Sequence, residues 1–404
     1  MTDSEAPRIR RFYIDVSKSS MDDLKHRLKQ TRYPDQLAGA GWDYGTELSF
    51  LKGLLEYWQN DFNWPKQQEW LNSHFMHYKL EVNGIDLHFT HRPHAEPEAI
   101  PLLLIHGWPG AFMEFHKIIP KLAASRPGQP KYHIVAPSLP GYGFSSAPAD
   151  PGFGLEQMAA TLNKLMVQLG YSKYVAQGGD WGAFISFFLG AKHADHCQAI
   201  HTNLPYSSPK LWRPVHAAQA ANALLPFLNK FPLALTRRDL DGLAKTAHFI
   251  ERETGYQAIQ KTKPQTLGYG LNDSPAGLCA WICEKFKTWS DCHGDIYSKF
   301  TKNELLTNVC IYWFNGCITS SMRLYYESLA QRDQMLKLYY CKVQVPTAAA
   351  DFPMDLYHSP RTWIEQQYNL KQYSEFDRGG HFAAMEEPDL LMDDMNKFFR
   401  TIKI

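Results

Sequence analysis

Two rhythms of apolar residues divide the chain near residue 98. Before that point, Leu24 and Leu28 share one helical face until Pro34 stops it, and Ser20-Met21-Asp22-Asp23 resembles a capping box at its start. Leu48, Leu51, Leu55 and Trp58 fall at the spacing of a second amphipathic helix. Residues 77–90 alternate like two strands joined at Asn83-Gly84, a pair suited to a tight hairpin because both residues tolerate positive φ. From about residue 99 the pattern changes to short apolar runs, at 101–105 and 132–136, separated by loops and helical stretches. Such runs suit strands buried on both faces of a parallel sheet. An amphipathic helix at 156–170 leads into a strand-like stretch at 171–176, a buried helix at 183–190 and another strand at 198–203. Strand signals then stop after Pro205 and resume at 343–350 and 370–376, before a closing helix at 390–402.

This pattern predicts an N-terminal helical and meander region (1–98), the first part of an α/β core (99–205), a helical lid (206–342) and the second part of the core (343–404). A helical insertion between strands sits over their carboxyl ends, where open α/β sheets bind ligands. There is no internal repeat.

The chemistry is suggested first at Gln177-Gly178-Gly179-Asp180-Trp181-Gly182, between the predicted strand and the buried helix. Gly-x-nucleophile-x-Gly across a strand, a sharp turn and a helix is the nucleophile elbow of the α/β-hydrolase fold, here with Asp180 in the position of the usual serine. An Asp at that point is also a good cap for the helix that follows. Its downstream partners favour chemistry: Asp355 and His381 follow late strands in the order nucleophile, acid, base. Asp351, four residues before Asp355, competes as the acid. His106-Gly107-Trp108-Pro109-Gly110 follows the first buried strand, where the fold places an oxyanion loop. The expected donors are the backbone N–H groups of Trp108 and Trp181, with His106 a structural residue. The predicted class is thus an α/β-hydrolase fold with an N-terminal meander region and an all-helical lid inserted between sheet strands.

Composition narrows the partners. The 404 residues are 44% hydrophobic and 14% aromatic, and 42 Lys plus Arg balance 41 Asp plus Glu, so nothing favours nucleic acid or an anionic membrane. No apolar run reaches the length of a membrane span, and the first residues lack the apolar core of a signal peptide. A soluble, cytoplasmic protein is expected. Seven cysteines, with Cys279 and Cys283 at i, i+4 and Cys292 before His293, read as reduced core thiols rather than a disulfide framework or a zinc site.

A carboxylate nucleophile is ionised at neutral pH and suits attack on saturated carbon, leaving an ester that a histidine-activated water can hydrolyse. No Gly-x-Ser-x-Gly occurs, which disfavours an ordinary esterase. A halide would leave unaided, as in the haloalkane dehalogenases, which share the Asp-Trp elbow. An epoxide oxygen leaves as an alkoxide and needs a proton, which a tyrosine can supply. Tyr256, Tyr325 and Tyr326 lie in the lid, among 21 tyrosines in the chain.

Together, residues 106–110 and 178–182, Leu267-Gly268-Tyr269-Gly270-Leu271-Asn272-Asp273-Ser274-Pro275 and residues 378–388 resemble the microsomal-type epoxide hydrolases. Arg32-Tyr33-Pro34-Asp35 and Trp42-Asp43-Tyr44-Gly45 extend the resemblance to the N-terminal region. The resemblance implies Asp180 as nucleophile, His381 as base, Asp355 as orienting acid, and Tyr256 and Tyr325 as the lid tyrosines, with Tyr326 the alternative to Tyr325. It implies conversion of an epoxide and water to a vicinal diol, without metal or organic cofactor. Mammalian members begin with a membrane anchor that this sequence lacks, and they carry Glu as the orienting acid where Asp stands here, as in fungal soluble members. The aromatic lid, including Trp281, Trp289, Tyr312, Trp313 and Phe314, suggests an apolar substrate, and the N-terminal region is a candidate surface for a homodimer.

Overall fold

In the computed structural model, which describes residues 8–124, 127–211, 213, 215–217, 219–220, 235–330 and 332–403, nine strands form one mixed sheet. They are β1 (Arg10–Arg11), β2 (His77–Val82), β3 (Ile85–Arg92), β4 (Ile100–Ile105), β5 (Tyr132–Pro137), β6 (Tyr174–Gly178), β7 (Cys197–Thr202), β8 (Val343–Asp351) and β9 (Tyr368–Glu375). Their order is β1-β2-β3-β5-β4-β6-β7-β8-β9. The first three strands pair antiparallel, and β3 joins β5 antiparallel; the rest of the sheet is parallel. The fully buried β5 and β6 explain the continuous apolar runs in their sequences. From β4 the chain goes one way to β5 and the other way to β6, so β4 and β6 flank the point where strand order reverses. Loops leaving their carboxyl ends open a crevice there.

The hairpin between β2 and β3 turns at Asn83 and Gly84, both at positive φ. The first helix, Lys18–Lys29, differs from the sequence expectation. Its cap is Ser17, whose hydroxyl accepts the Ser20 N–H at 3.1 Å, so Ser20 lies inside the first turn. The helix also ends before Pro34 is reached. A helix not anticipated, Trp64–His74, is capped by Asn63 and has Pro65 in its first turn. It buries only Trp64 and Leu71, too thin a stripe to show as a period. β6 begins at Tyr174 rather than 171, because the Tyr171 backbone N–H still bonds the Met166 carbonyl of the preceding helix, at 3.0 Å.

The lid contains helices Arg237–Arg252, Gly255–Gln260, Pro264–Asp273, Pro275–Thr288, Lys302–Asn315, Ile318–Tyr325 and Arg332–Tyr340. Thr236 and Thr301 begin two of these helices with full capping boxes. The N-terminal region fastens this lid: Arg27 reaches Asp273, Thr46 donates to the Ala280 carbonyl, and Tyr57 donates to Asn303. No helix among the described residues is long and apolar enough to cross a membrane.

Candidate active site

β6 ends at Gly178, and two residues later Asp180 sits at φ +49°, ψ −128°, a conformation an L side chain avoids and that costs on the order of 1–3 kcal/mol. Close backbone contact holds the turn. A Cβ on Gly182 would fall 2.0 Å from the Ile105 carbonyl oxygen, so the helix Trp181–Lys192 touches the end of β4 only because residue 182 has no side chain. Asp180 occupies the cap position of that helix, but its carboxylate makes no cap hydrogen bond. It instead turns toward the loop after β4, where the Trp108 N–H donates to Oδ1 at 2.7 Å. Gly107 leaves room for this: a Cβ there would stand 2.2 Å from Asp180 Oδ1. Trp181 opens the helix, where an N–H has no intrahelical acceptor.

The loop carrying Trp108 is braced from both sides. His106 Nδ1 donates to the Gly107 carbonyl at 3.0 Å, and Nε2 accepts the Leu139 N–H at 3.1 Å. Burial pushes His106 down to about 4, so it is a neutral structural ring. From the lid, Asn308 donates to the Pro109 carbonyl and Tyr312 to the Gly110 carbonyl, both at 2.8 Å. Sequence reasoning missed Asn308, and it placed Tyr312 among the lid aromatics without the loop-bracing role that its hydroxyl has here.

His381 Nδ1 and Asp355 Oδ1 are 2.6 Å apart, both groups buried. His381 Nε2 stands 3.3 Å from Asp180 Oδ2, a contact of charges without hydrogen-bond alignment. Burial alone would lower the imidazole pKa, but Asp355 and Asp180 outweigh it and raise it to about 10. The His381 N–H donates to the Trp289 carbonyl, and Glu386 accepts the next N–H, from Phe382, fixing the ring's approach. Asp351 is occupied elsewhere: Arg238 Nε donates to it at 2.7 Å, and His358 Nδ1 lies 3.1 Å away.

Tyr256 and Tyr325 meet edge to face with ring centroids 5.8 Å apart. Tyr256 stacks on Trp108, and Tyr325 packs its ring against Trp181. Burial, reinforced by the other phenol and by Asp180, raises the Tyr325 pKa well above the usual range. Burial and the Asp180 charge do the same for Tyr256, with Tyr325 partly offsetting it as a donor. Both phenols therefore keep their protons at neutral pH. Tyr326, by contrast, is 41% exposed, against 1% for Tyr325.

A cavity of about 210 Å³ opens over Asp180, walled by Trp181, Phe184, Tyr206, Tyr325 and Tyr357. Of the aromatics singled out from the lid sequence, Trp289 alone packs against both His381 and Tyr256. Trp281 bonds Gln260, Trp313 lies under Arg27 and Phe314 packs on Trp64. Glu114 is a further group not anticipated. It is enclosed by protein atoms, though it keeps some accessible surface, and its carboxyl rests where a Cβ on Gly110 would lie. Burial, with Asp180 adding to it and His381 opposing it, raises its pKa to about 8.

Comparisons with known proteins identify the family. The profile described as "Epoxide hydrolase N terminus" matches residues 9–115, and that described as "alpha/beta hydrolase fold" matches residues 100–254. Epoxide hydrolase 1 of Sus scrofa is 40% identical, over 98% of this chain and 89% of its own length. The crystal structure of juvenile hormone epoxide hydrolase from the silkworm Bombyx mori superposes with a TM-score of 0.89 at 36% identity, covering 97% of this chain and 94% of the other. The Aspergillus niger epoxide hydrolase structure gives a TM-score of 0.84 at 30% identity, covering 99% and 97%. With a shared fold and an aligned length that takes in nearly the whole chain, the protein belongs to the epoxide hydrolases of the α/β-hydrolase fold, enzymes that add water to an epoxide to give a vicinal diol.

Proposed function

We propose that Asp180 opens the ring of an apolar epoxide, that Tyr256 and Tyr325 hold and protonate its oxygen, and that water activated by His381 and Asp355 hydrolyses the resulting ester. The observation that carries this reading is convergence on one carboxylate. Asp180 has one oxygen on the Trp108 N–H and the other beside His381, with two protonated phenols packed at the same place. The oxygen facing His381 attacks the epoxide carbon and the C–O bond of the ring breaks. The departing oxygen takes a proton from a phenol. Forming the ester removes the Asp180 charge, and with it part of what holds the proton on His381. That proton then restores the phenol and leaves a neutral base. Water gives a proton to Nε2 and attacks Cγ, while the Trp108 and Trp181 N–H groups stabilise the oxyanion. Collapse releases the diol and returns Asp180 as a carboxylate, with His381 again charged.

Every role is filled by a side chain or a backbone N–H, so the scheme calls for no metal or organic cofactor. The apolar walls of the cavity support an apolar substrate. Seven free thiols suit a reducing, cytoplasmic setting, and exposed Tyr13, Leu37 and Tyr44 on the N-terminal region support a homodimer there. One turnover in 18O-labelled water tests the ester route: the label is expected on Asp180 and not in the diol. Label passing directly into the diol would refute it. Halide release from a chloroalkane would favour the dehalogenase alternative, in which the two phenols have no proton to deliver.

A further inference from the structure

One buried charge beside the site has no role in this scheme. Lys285 lies on the lid helix Pro275–Thr288 and is only 5% exposed. Its ammonium stands 4.6 Å from the centroid of the Tyr256 ring, 5.6 Å from that of Trp289 and 6.0 Å from that of Trp281. Its ion-pair partner is Glu284, the preceding residue. Burying an ammonium is costly unless partners compensate. An aromatic face is such a partner, and the ring that Lys285 approaches most closely belongs to one of the proposed proton donors.

We propose that Lys285 is a positioning residue for ring opening, acting through Tyr256 by setting a positive charge against the ring that becomes negative as its proton leaves. Resting Tyr256 is neutral, and its attraction for the ammonium is that of a ring quadrupole. As the proton passes to the epoxide oxygen, negative charge spreads from the phenol oxygen into the ring, and the same ammonium then faces an anion. The interaction is stronger in the transition state than in the ground state, the condition under which it accelerates the step. The other groups facing this pair are known. Asp180, Tyr325 and Tyr357 face Tyr256, while Glu284 and Glu253 face Lys285, with His248 beside Glu253. Asp180 opposes phenolate formation until its charge enters the ester. Lys285 is the cation in contact with the ring.

The role rests on the ester route above, and rapid-quench measurement of ester formation and ester hydrolysis separates the two. Lys285→Met keeps the aliphatic stem and removes the charge. It is expected to slow ester formation on the order of ten-fold, the range of a desolvated cation–π contact, and to leave hydrolysis of the ester unchanged. Lys285→Arg is expected to restore most of the rate. In a Tyr256→Phe background the effect of Lys285→Met should vanish, whereas in a Tyr325→Phe background it should persist. Equal slowing of both steps, or the same loss with and without the Tyr256 hydroxyl, would overturn the proposal and leave Lys285 a packing residue. If Lys285→Met fails to fold, Lys285→Gln in the same backgrounds provides the comparison. A wild-type enzyme that turns over without an Asp180 ester would overturn the ester route itself.

Discussion

Asp355→Asn exchanges one carboxylate oxygen for an amide nitrogen at a position buried against His381 Nδ1, 2.6 Å away. The consequence falls unequally on the two halves of the reaction. Ring opening needs no base, because a carboxylate nucleophile attacks without first losing a proton. Hydrolysis needs an imidazolium to form at His381, at a time when the ester has removed the Asp180 charge. Asp355 is then the carboxylate left in contact with that ring. Losing one member of a buried, hydrogen-bonded ion pair costs about 3–5 kcal/mol, a slowing of roughly a hundred- to several-thousand-fold in the step that depends on it. Ester formation should change little. The variant should therefore consume about one equivalent of epoxide and stall as the ester, with diol appearing only at the slowed rate of hydrolysis. Intact-protein mass spectrometry after acid quench should show every chain carrying one epoxide. Asp351→Asn is the control, since Asp351 serves Arg238 and His358. It should lose stability without trapping an ester. Turnover of Asp355→Asn within about three-fold of wild type, or ring opening slowed as much as hydrolysis, would refute the assignment.

Tyr256→Phe combined with Tyr325→Phe should nearly abolish ester formation, each single change costing roughly 10²-fold as expected of a lost general acid, and a double variant with normal single-turnover kinetics would contradict the tyrosine roles. Gly107→Ala places a Cβ 2.2 Å from Asp180 Oδ1, so ring opening should fall by about 10²-fold with circular dichroism unchanged; full activity would mean that the loop gives way freely. Folding raises both Glu114, from 4.5 to about 8, and His381, from 6.5 to about 10, so the folded state holds protons that the unfolded chain releases. The Glu114 contribution is complete below about pH 4.5 and lost as pH rises through 8; that of His381 is complete below about 6.5 and lost toward 10. Melting temperature should fall as pH rises across this range, and Glu114→Gln should flatten the part below pH 8. An identical slope in that variant would show that Glu114 is ionised at neutral pH.

The approach of Asp180, Asp355 and His381 was legible because strand order dictates it. Loops after parallel strands leave the sheet at one edge, so residues far apart in the chain but each following a strand end must come together. The choice between Asp355 and Asp351 was not legible from strand order, because it depends on where Arg238 falls after the chain has passed through the lid. The face presented by each lid helix was equally hidden. Apolar residues in helices such as Lys302–Asn315 occur around the whole circumference, so spacing could not separate Tyr312, bonded to the Gly110 carbonyl, from Phe314, packed on Trp64. Lys285 would pass as a solvated charge in any pattern of polar and apolar positions. Only the fold shows it covered by aromatic rings. The first helix was misplaced for a local reason, since Ser17, Ser19 and Ser20 offer nearly equivalent caps within one turn.

The two lid side chains that hold the Pro109 and Gly110 carbonyls have a mechanical consequence. A cover that only shielded the nucleophile could swing away and leave the chemistry below intact. Here the helix bearing Asn308 and Tyr312 grips the same five-residue loop whose Trp108 N–H aims the attacking carboxylate. Displacing that helix would let go of the loop and misdirect the donor. Excising the lid should therefore give not a more accessible enzyme but an unaligned one, and changes that loosen this helix should be felt as slower chemistry before they are felt as easier entry.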